Sequence, residues 1–227
     1  MNQQNPATDR VMGGSSVGQI EAAAREEALV LMREMENKPF HVQHVARLAL
    51  ELFDPLAVLH GLGAQERLWL EAAAYLHDIG HQFGVTGEGH HKESARMIRE
   101  RHWTNFTPRE VEVIAQVARY HRKAIPELSH EEFRALDDAS RLAVQRLGAL
   151  LRLADSLDRS HQQLVKSARV EIRPNQLVFH LEAGGIILRE IKAAQSKGDL
   201  AVAVFQRDLV FMVGDDVLCP PTVATGF

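Results

Sequence analysis

The segment Leu68–Leu76 is apolar along most of its length and ends directly in the pair His77-Asp78, followed by Ile79-Gly80. A fold that buries this segment must also bury an imidazole and a carboxylate. Both are costly to bury without a partner, the carboxylate most of all. Imidazole nitrogen and carboxylate oxygen are also ligand types suited to Zn, Fe, Mn or Mg. The sequence therefore predicts a helical core built around a polar, ion-binding group.

Three further helical segments each place one side chain of the same kind on an apolar stripe. They are a helix over about 39–53, one beginning at Thr107-Pro108 and one over about 138–158, and the side chains are His41, His121 and Asp155. A shared metal ion would satisfy all of them at once, because its charge favours ionised Asp and neutral His. Helices that converge on one ion are an established use of bundle cores.

Each of these residues also has a simpler explanation when it is considered alone. A single buried histidine is more often a hydrogen-bonded core residue than a ligand. Asp155 could pair with Arg152 or Arg159, and His44 could take the place of His41. The joint pattern favours the metal site, since every independent explanation would have to hold separately.

Composition excludes several other classes of function. The net charge of −4 and the pI near 6.3 provide no global electrostatic case for binding nucleic acid. The one cysteine, Cys219, excludes an internal disulfide framework and, without a visible signal peptide, favours the cytoplasm. No apolar run reaches the ~20 residues of a membrane span, so no membrane role is expected.

The polar and apolar patterns predict a mainly α fold, a helical bundle with a small C-terminal α+β appendage. We expect a disordered leader over 1–18, a helical domain over 19–167 and a tail over 216–227. The appendage, 168–215, is predicted as ββαβ: a hairpin around Pro174-Asn175, a helix over 186–205 with Gly198 as a weak point, and a strand over Leu209–Val213. Four glycines make 80–89 a predicted loop.

The order His41, His77-Asp78, Asp155 resembles the H…HD…D signature of the HD-domain superfamily of metal-dependent phosphohydrolases. The segments that carry the resemblance are His41-Val-Gln-His-Val-Ala46, Leu76-His-Asp-Ile-Gly80 and Leu153-Ala-Asp-Ser-Leu-Asp158. The first favours His41 over His44 as the ligand, and the last places Asp158 on the same face as Asp155.

A narrower similarity covers roughly residues 20–213. Gly89-His-His-Lys-Glu-Ser-Ala95, Arg119-Tyr-His-Arg-Lys-Ala124 and Leu153–Arg159 resemble the C-terminal HD-like region of the exopolyphosphatase/guanosine pentaphosphate phosphatase family. We expect the N-terminal ATPase-like domain of those proteins, which holds their characterised active site, to be missing from this chain. Polyphosphatase activity is therefore not carried over by the resemblance.

The resemblance implies a divalent ion (Mn, Fe, Mg, Zn, Ni or Co), one or two per chain. It implies His41, His77, Asp78 and Asp155 as metal ligands, with Asp78 and His77 in the catalytic role. A second metal site would draw on His121 and on either His90 or His91, between which the sequence does not choose. His121, Arg122 and Lys123 would contact substrate phosphate, although the two cations also suit a solvated helix end.

The function implied is a phosphohydrolase that cleaves a phosphoester or phosphoanhydride of a small phosphorylated molecule, such as a nucleotide. The alternative is a non-catalytic, regulatory module that binds a nucleotide or polyphosphate and carries a structural metal. An edge strand of the appendage could pair with a second copy, so a homodimer stays open.

Overall fold

The architecture is a bundle of helices followed by a small four-stranded sheet, seen in a computed structural model that describes residues 17–83 and 89–219. The long helices are α1 (Val17–Met35), α2 (Pro39–Phe53), α4 (Ala64–Leu76), α5 (His90–Glu100), α6 (Pro108–Arg119) and α8 (Asp138–Ser156). Two short helices are α3 (Ala57–His60) and α7 (Glu131–Arg134), and 3₁₀ turns span Asp54–Leu56 and Ile79–Phe83. The predicted fold class, mainly α with a small α+β appendage, is confirmed.

Local signals explain where several helices begin and end. Thr107 caps α6 by accepting from the Glu110 amide while the Glu110 side chain returns to the Thr107 amide, a reciprocal capping box. Pro39 and Pro108 stand in the first turns of α2 and α6, where a missing N–H costs nothing. Gly61 ends α3 in the left-handed region, which glycine enters without strain.

The appendage contains β1 (Val165–Ile172), β2 (Gln176–Ala183), α9 (Leu188–Lys197), α10 (Asp199–Phe205), β3 (Asp208–Val213) and β4 (Asp216–Cys219). The strand order is β1-β2-β3-β4. β1 and β2 form the predicted antiparallel hairpin, β2 and β3 are parallel, and β3 and β4 are antiparallel. Parallel neighbours need a crossover connection, and α9 with α10 supplies it.

The sequence prediction was wrong in detail within this appendage. The predicted helix over 186–205 is two helices that meet at Gly198, where a Cβ would lie 2.6 Å from Leu209 Cδ1. The pattern ββαβ missed β4, a short strand that pairs with β3 from inside the predicted tail. The predicted loop begins as the 3₁₀ turn Ile79–Phe83. Residues 84–88, most of the predicted leader and the end of the tail lie outside the described residues.

One continuous hydrophobic core joins the bundle to the sheet, whose Leu177, Phe179, Leu209 and Phe211 are fully or almost fully buried. Within the bundle α2 packs on α4 and α8, and α6 packs on α4, α5 and α8. α9 and α10 pack on α8, which brings the appendage to the same end of α8 as Asp155. In the described parts of the chain, no helix has the length and apolar character needed to cross a bilayer.

Candidate metal centre

Five side chains from four different helices meet inside the bundle, each near a helix end. His41 lies in the first turn of α2, His77 caps the C-terminus of α4 and Asp78 follows it. His121 comes just after α6, and Asp155 is the penultimate residue of α8. All five are at most 6% exposed, so they form a polar group inside the core and not a surface patch. These five residues are called the cluster below.

Their inward atoms are close together but too far apart for good hydrogen bonds. His41 Nε2 and His77 Nε2 lie 3.6 Å and 3.8 Å from Asp155 Oδ1. His77 Nε2 and His121 Nε2 lie 3.7 Å and 3.6 Å from Asp78 Oδ1. Ligand bonds of ~2.1 Å in a tetrahedral site put neighbouring ligand atoms roughly 3.4 Å apart, so these spacings suit a small cation.

The group divides into neighbouring sets of three, each with ligand atoms within 4.8 Å of one another. One set is His41, His77 and Asp155, and another is His77, Asp78 and His121. The two sets share His77, whose single free ring nitrogen, Nε2, has one lone pair and could serve only one ion. These buried groups could therefore hold a metal ion.

The outer ring nitrogens of the three histidines are all engaged with acceptors. His41 Nδ1 contacts Asp158 Oδ2 at 2.8 Å, His77 Nδ1 contacts the Ala74 carbonyl at 2.8 Å, and His121 Nδ1 contacts the Ala118 carbonyl at 2.6 Å. A carbonyl oxygen can only accept, so Nδ1 carries the proton in His77 and His121 and Nε2 faces the cluster. This is the arrangement typical of metal-ligating histidines.

The inward nitrogens complete the argument that the residues fit a metal ion. His41 Nε2 and His77 Nε2 are buried, and neither has a hydrogen-bond partner within the described part of the chain. Buried polar side-chain atoms without partners are uncommon and call for an unseen ion or water. Here the orphaned atoms face ionised carboxylates, which favours a cation.

The electrostatics of the cluster point the same way. Burial raises the pKa values of Asp78 and Asp155, but His77 beside Asp78 and Lys197 beside Asp155 outweigh it, and both pKa values lie well below normal. Burial lowers the pKa of His41, but Asp155 and Asp158 outweigh it and raise the pKa to about 9. In the absence of a metal ion, a proton on His41 therefore supplies part of the positive charge that the two carboxylates attract.

The structure places His90 and His91, between which the sequence did not choose, in the linings of different cavities. His90 Nε2 lies 3.2 Å from Asp78 Oδ1 and 3.4 Å from His121 Nε2, whereas His91 lines a separate cavity. Burial and the neighbouring cations lower the pKa of His91 to about 4. His44 Nδ1 contacts Arg47 instead of the cluster, as expected if His41 is the inward residue.

Three of the five cluster residues, Asp78, His121 and Asp155, line a cavity of about 270 Å³. Asp78, His90, His121 and Asp155 line it together with His81, His161 and five cationic side chains, which are Lys38, Arg122, Arg159, Arg189 and Lys197. Arg122 is among the predicted phosphate contacts. Lys123 is not among the lining residues, and its carbonyl accepts from Arg152 Nη1.

Several of these residues were missed by the sequence reasoning. Lys197 donates to Asp155 Oδ2 at 2.5 Å, so Asp155 pairs with the appendage and not with Arg152 or Arg159. The His161 ring stacks on His41 with centroids 3.9 Å apart, from a backbone with φ of 58°. His81 ring-stacks on His90 and follows Asp78 by three residues, a spacing that could have been noticed.

The model of a family described as "Ppx/GppA phosphatase, domain III" matches residues 28–194. The chain belongs to this family. The matched region of this Ppx/GppA domain III protein contains all five cluster residues, together with His90, Asp158 and His161. Lys197 lies just beyond it. A comparison with curated proteins finds no match.

Cavity size alone would not have located this centre. A larger cavity, about 390 Å³, lies beside α5 and α6 and is lined by residues such as Trp103 and Phe106. Its one carboxylate, Glu112, is already held by Arg99 through two hydrogen bonds of 2.7 and 2.8 Å. None of the cluster residues lines this larger cavity. The candidate site is therefore identified by the residues that line the smaller cavity and not by its volume.

Proposed function

We propose that this Ppx/GppA domain III protein is an HD-type, metal-dependent phosphohydrolase that acts on a small phosphorylated molecule such as a nucleotide. The observation that carries the proposal is the set of three histidines, each with Nδ1 engaged and Nε2 directed at Asp78 or Asp155. The family supports phosphatase chemistry in general, and the cluster supports its dependence on a metal.

The ligands of the proposed centre are His41, His77, Asp78, Asp155 and His121. His90 belongs to a third set of possible ligands, with Asp78 and His81. When bound, a divalent ion supplies Lewis-acid charge to a phosphoryl oxygen and makes water more acidic. The low pKa values of Asp78 and Asp155 keep both carboxylates ionised for this role.

The remaining residues of the cavity account for binding of the phosphorylated group. Arg122, Arg159 and Arg189 line the same cavity as the cluster and present guanidinium groups, which suit phosphate oxygens through paired hydrogen bonds. Asp158 accepts from His41 Nδ1 and so fixes the orientation of that imidazole. A cavity of about 270 Å³ suits a small phosphorylated group rather than a large ligand.

The test begins with elemental analysis of the purified protein and continues with a panel of nucleotides and phosphoesters, assayed with the metal that is found. Asp78→Asn should abolish both metal binding and phosphate release. Asp138→Asn is the matched control, because the Asp138 side chain is 96% exposed and distant from the cluster.

Two results would contradict parts of the proposal. An unaltered metal content in Asp78→Asn would remove Asp78 from the ligand set. A metal-loaded protein that bound one of the compounds and released no phosphate from any of them would favour the alternative, a non-catalytic regulatory module.

A further inference from the structure

A second, smaller cavity shares a lining residue with the cavity of the candidate metal centre. It has a volume of about 160 Å³, and its lining includes His91, Lys92, Arg119, His130 and Arg122. Arg122 therefore lines both cavities. The two consecutive histidines, in contrast, line different cavities: His90 lines the first and His91 the second.

The lining of this side cavity is positively charged. Three of its side chains are cationic and none is a carboxylate. Arg119 pairs with Glu132 at 2.9 Å, but Lys92 and Arg122 form no ion pair with a carboxylate in the described part of the chain. Arg122 Nη1 instead lies 3.3 Å from His90 Nε2, an imidazole that cannot neutralise it.

His91 supplies an independent sign of a missing ligand. It is 8% exposed, and its Nδ1 atom is buried without a hydrogen-bond partner among the residues described. The charged side chains that act on it are all cations: Arg122, Lys92 and Lys123. A buried ring nitrogen in a positive field, with no acceptor beside it, is well placed to donate to an anion.

We propose that the side cavity is a second binding site, specific for a tetrahedral oxyanion such as inorganic phosphate, with Arg122 shared between the two sites. Its volume lies below the roughly 300–1,000 Å³ of sites for larger ligands, which favours an ion. Guanidinium, ammonium and imidazole groups are the usual donors to phosphate oxygens. Because one guanidinium serves both cavities, an anion in the side cavity draws Arg122 away from His90 and changes the charge offered to the metal centre.

The test is a titration of the metal-free protein with inorganic phosphate. Calorimetry measures the binding, and the NMR signals of the histidine rings report where it occurs. We expect two phosphate ions per chain, one of which shifts the His91 ring. Lys92→Gln should weaken that binding about tenfold, the effect of losing one charge-assisted hydrogen bond. Arg189→Gln, which alters only the cavity of the metal centre, should weaken the other event and leave the His91 shift intact.

Lys166→Gln is the matched control, because Lys166 is exposed, lies in β1 and lines neither cavity. Equal weakening by Lys92→Gln and Lys166→Gln would overturn the proposal in favour of general charge attraction. A single phosphate that Arg189→Gln removes, or an unmoved His91 ring, would overturn it as well. None of these measurements depends on metal or turnover, so they succeed or fail separately from the proposed phosphohydrolase.

Discussion

At the scale of single residues, the orientation of each histidine ring carries most of the functional argument. His77 and His121 bind carbonyls of their own helices three residues earlier, so the backbone that places them also fixes their tautomer. His41 differs, because its Nδ1 partner is a carboxylate, Asp158, brought from the end of α8. Asp158 is fully buried, and its other oxygen, Oδ1, accepts from the backbone N–H of Gln163, which restrains the carboxylate from both sides.

We therefore expect Asp158→Asn to reduce metal affinity by roughly 10–100-fold, the usual effect of losing the partner of a ligating imidazole. The amide keeps the volume of the carboxylate but removes the charge that supports His41. Metal titration followed by calorimetry measures the change. Asp215→Asn, an exposed site outside the cavity, is the control, and equal affinities in the two variants would show that Asp158 has no such role.

Sequence reasoning succeeded for residues whose position follows from helical periodicity. His41, His77, His121 and Asp155 lie where their apolar stripes predicted, in the core and beside one another. It failed for Lys197 and Arg189, because they reach the cavity through the packing of α9 on α8, a contact between distant segments with no local signal. It could not separate His90 from His91 either, since the two are adjacent at the start of α5.

At the scale of elements, α9 connects the appendage to the cluster through Lys197. Its ammonium group is bound to Asp155 Oδ2, so a metal ion that used Asp155 as a ligand would lie close to this positive charge. We expect Lys197→Gln to raise metal affinity, by about tenfold, because two cations a few ångströms apart repel each other by at least ~1 kcal/mol even in a polar environment. Binding of phosphorylated compounds should weaken at the same time.

Lys192→Gln is the matched control for this variant, since Lys192 is exposed on the same helix. Competitive titration against a metal-sensitive dye gives the affinities. A fall in metal affinity in Lys197→Gln would contradict the expectation and would mean that Lys197 holds Asp155 in position.

The approach of the turn Ile79–Phe83 to α5 depends on the absence of a side chain at Gly80. A Cβ there would lie 2.5 Å from the His90 carbonyl and 2.6 Å from the Ser94 amide. Both are backbone atoms, so Gly80→Ala must separate the turn from α5 and move His90 away from Asp78. We expect a loss of roughly 1–3 kcal/mol in the free energy of unfolding, measured by chemical denaturation.

Gly148 in α8 gives the opposite expectation from the same substitution. Its added Cβ would have Leu200 Cδ2 at 3.6 Å as its nearest neighbour, an ordinary contact, and alanine favours a helix by about 1 kcal/mol. Gly148→Ala should therefore be neutral or stabilising. If both variants lost stability equally, the close approach at Gly80 would not be the cause.

At the scale of the whole molecule, the bundle and the appendage share one core, and both contribute to the cavity. The overall class was predictable because helical periodicity and strand alternation are local patterns. The fourth strand was not, because β4 is only four residues long and forms by pairing with β3. The general architecture can thus be predicted from the polar and apolar pattern of the sequence. The cationic residues that line the cavity cannot, because the packing of distant segments brings them there.

A metal ion held by residues from α2, α4, α6 and α8 should stabilise the entire fold, since the unfolded chain does not assemble the site. At a metal concentration of 100 times the Kd, linkage adds about 2.7 kcal/mol. For a chain of 227 residues, this raises Tm by roughly 5–10 °C. Differential scanning calorimetry with and without a chelator measures the shift. Asp78→Asn should lose most of this shift in Tm, and Asp138→Asn should keep it. Equal shifts in the two variants would mean that the ion binds somewhere other than the cluster.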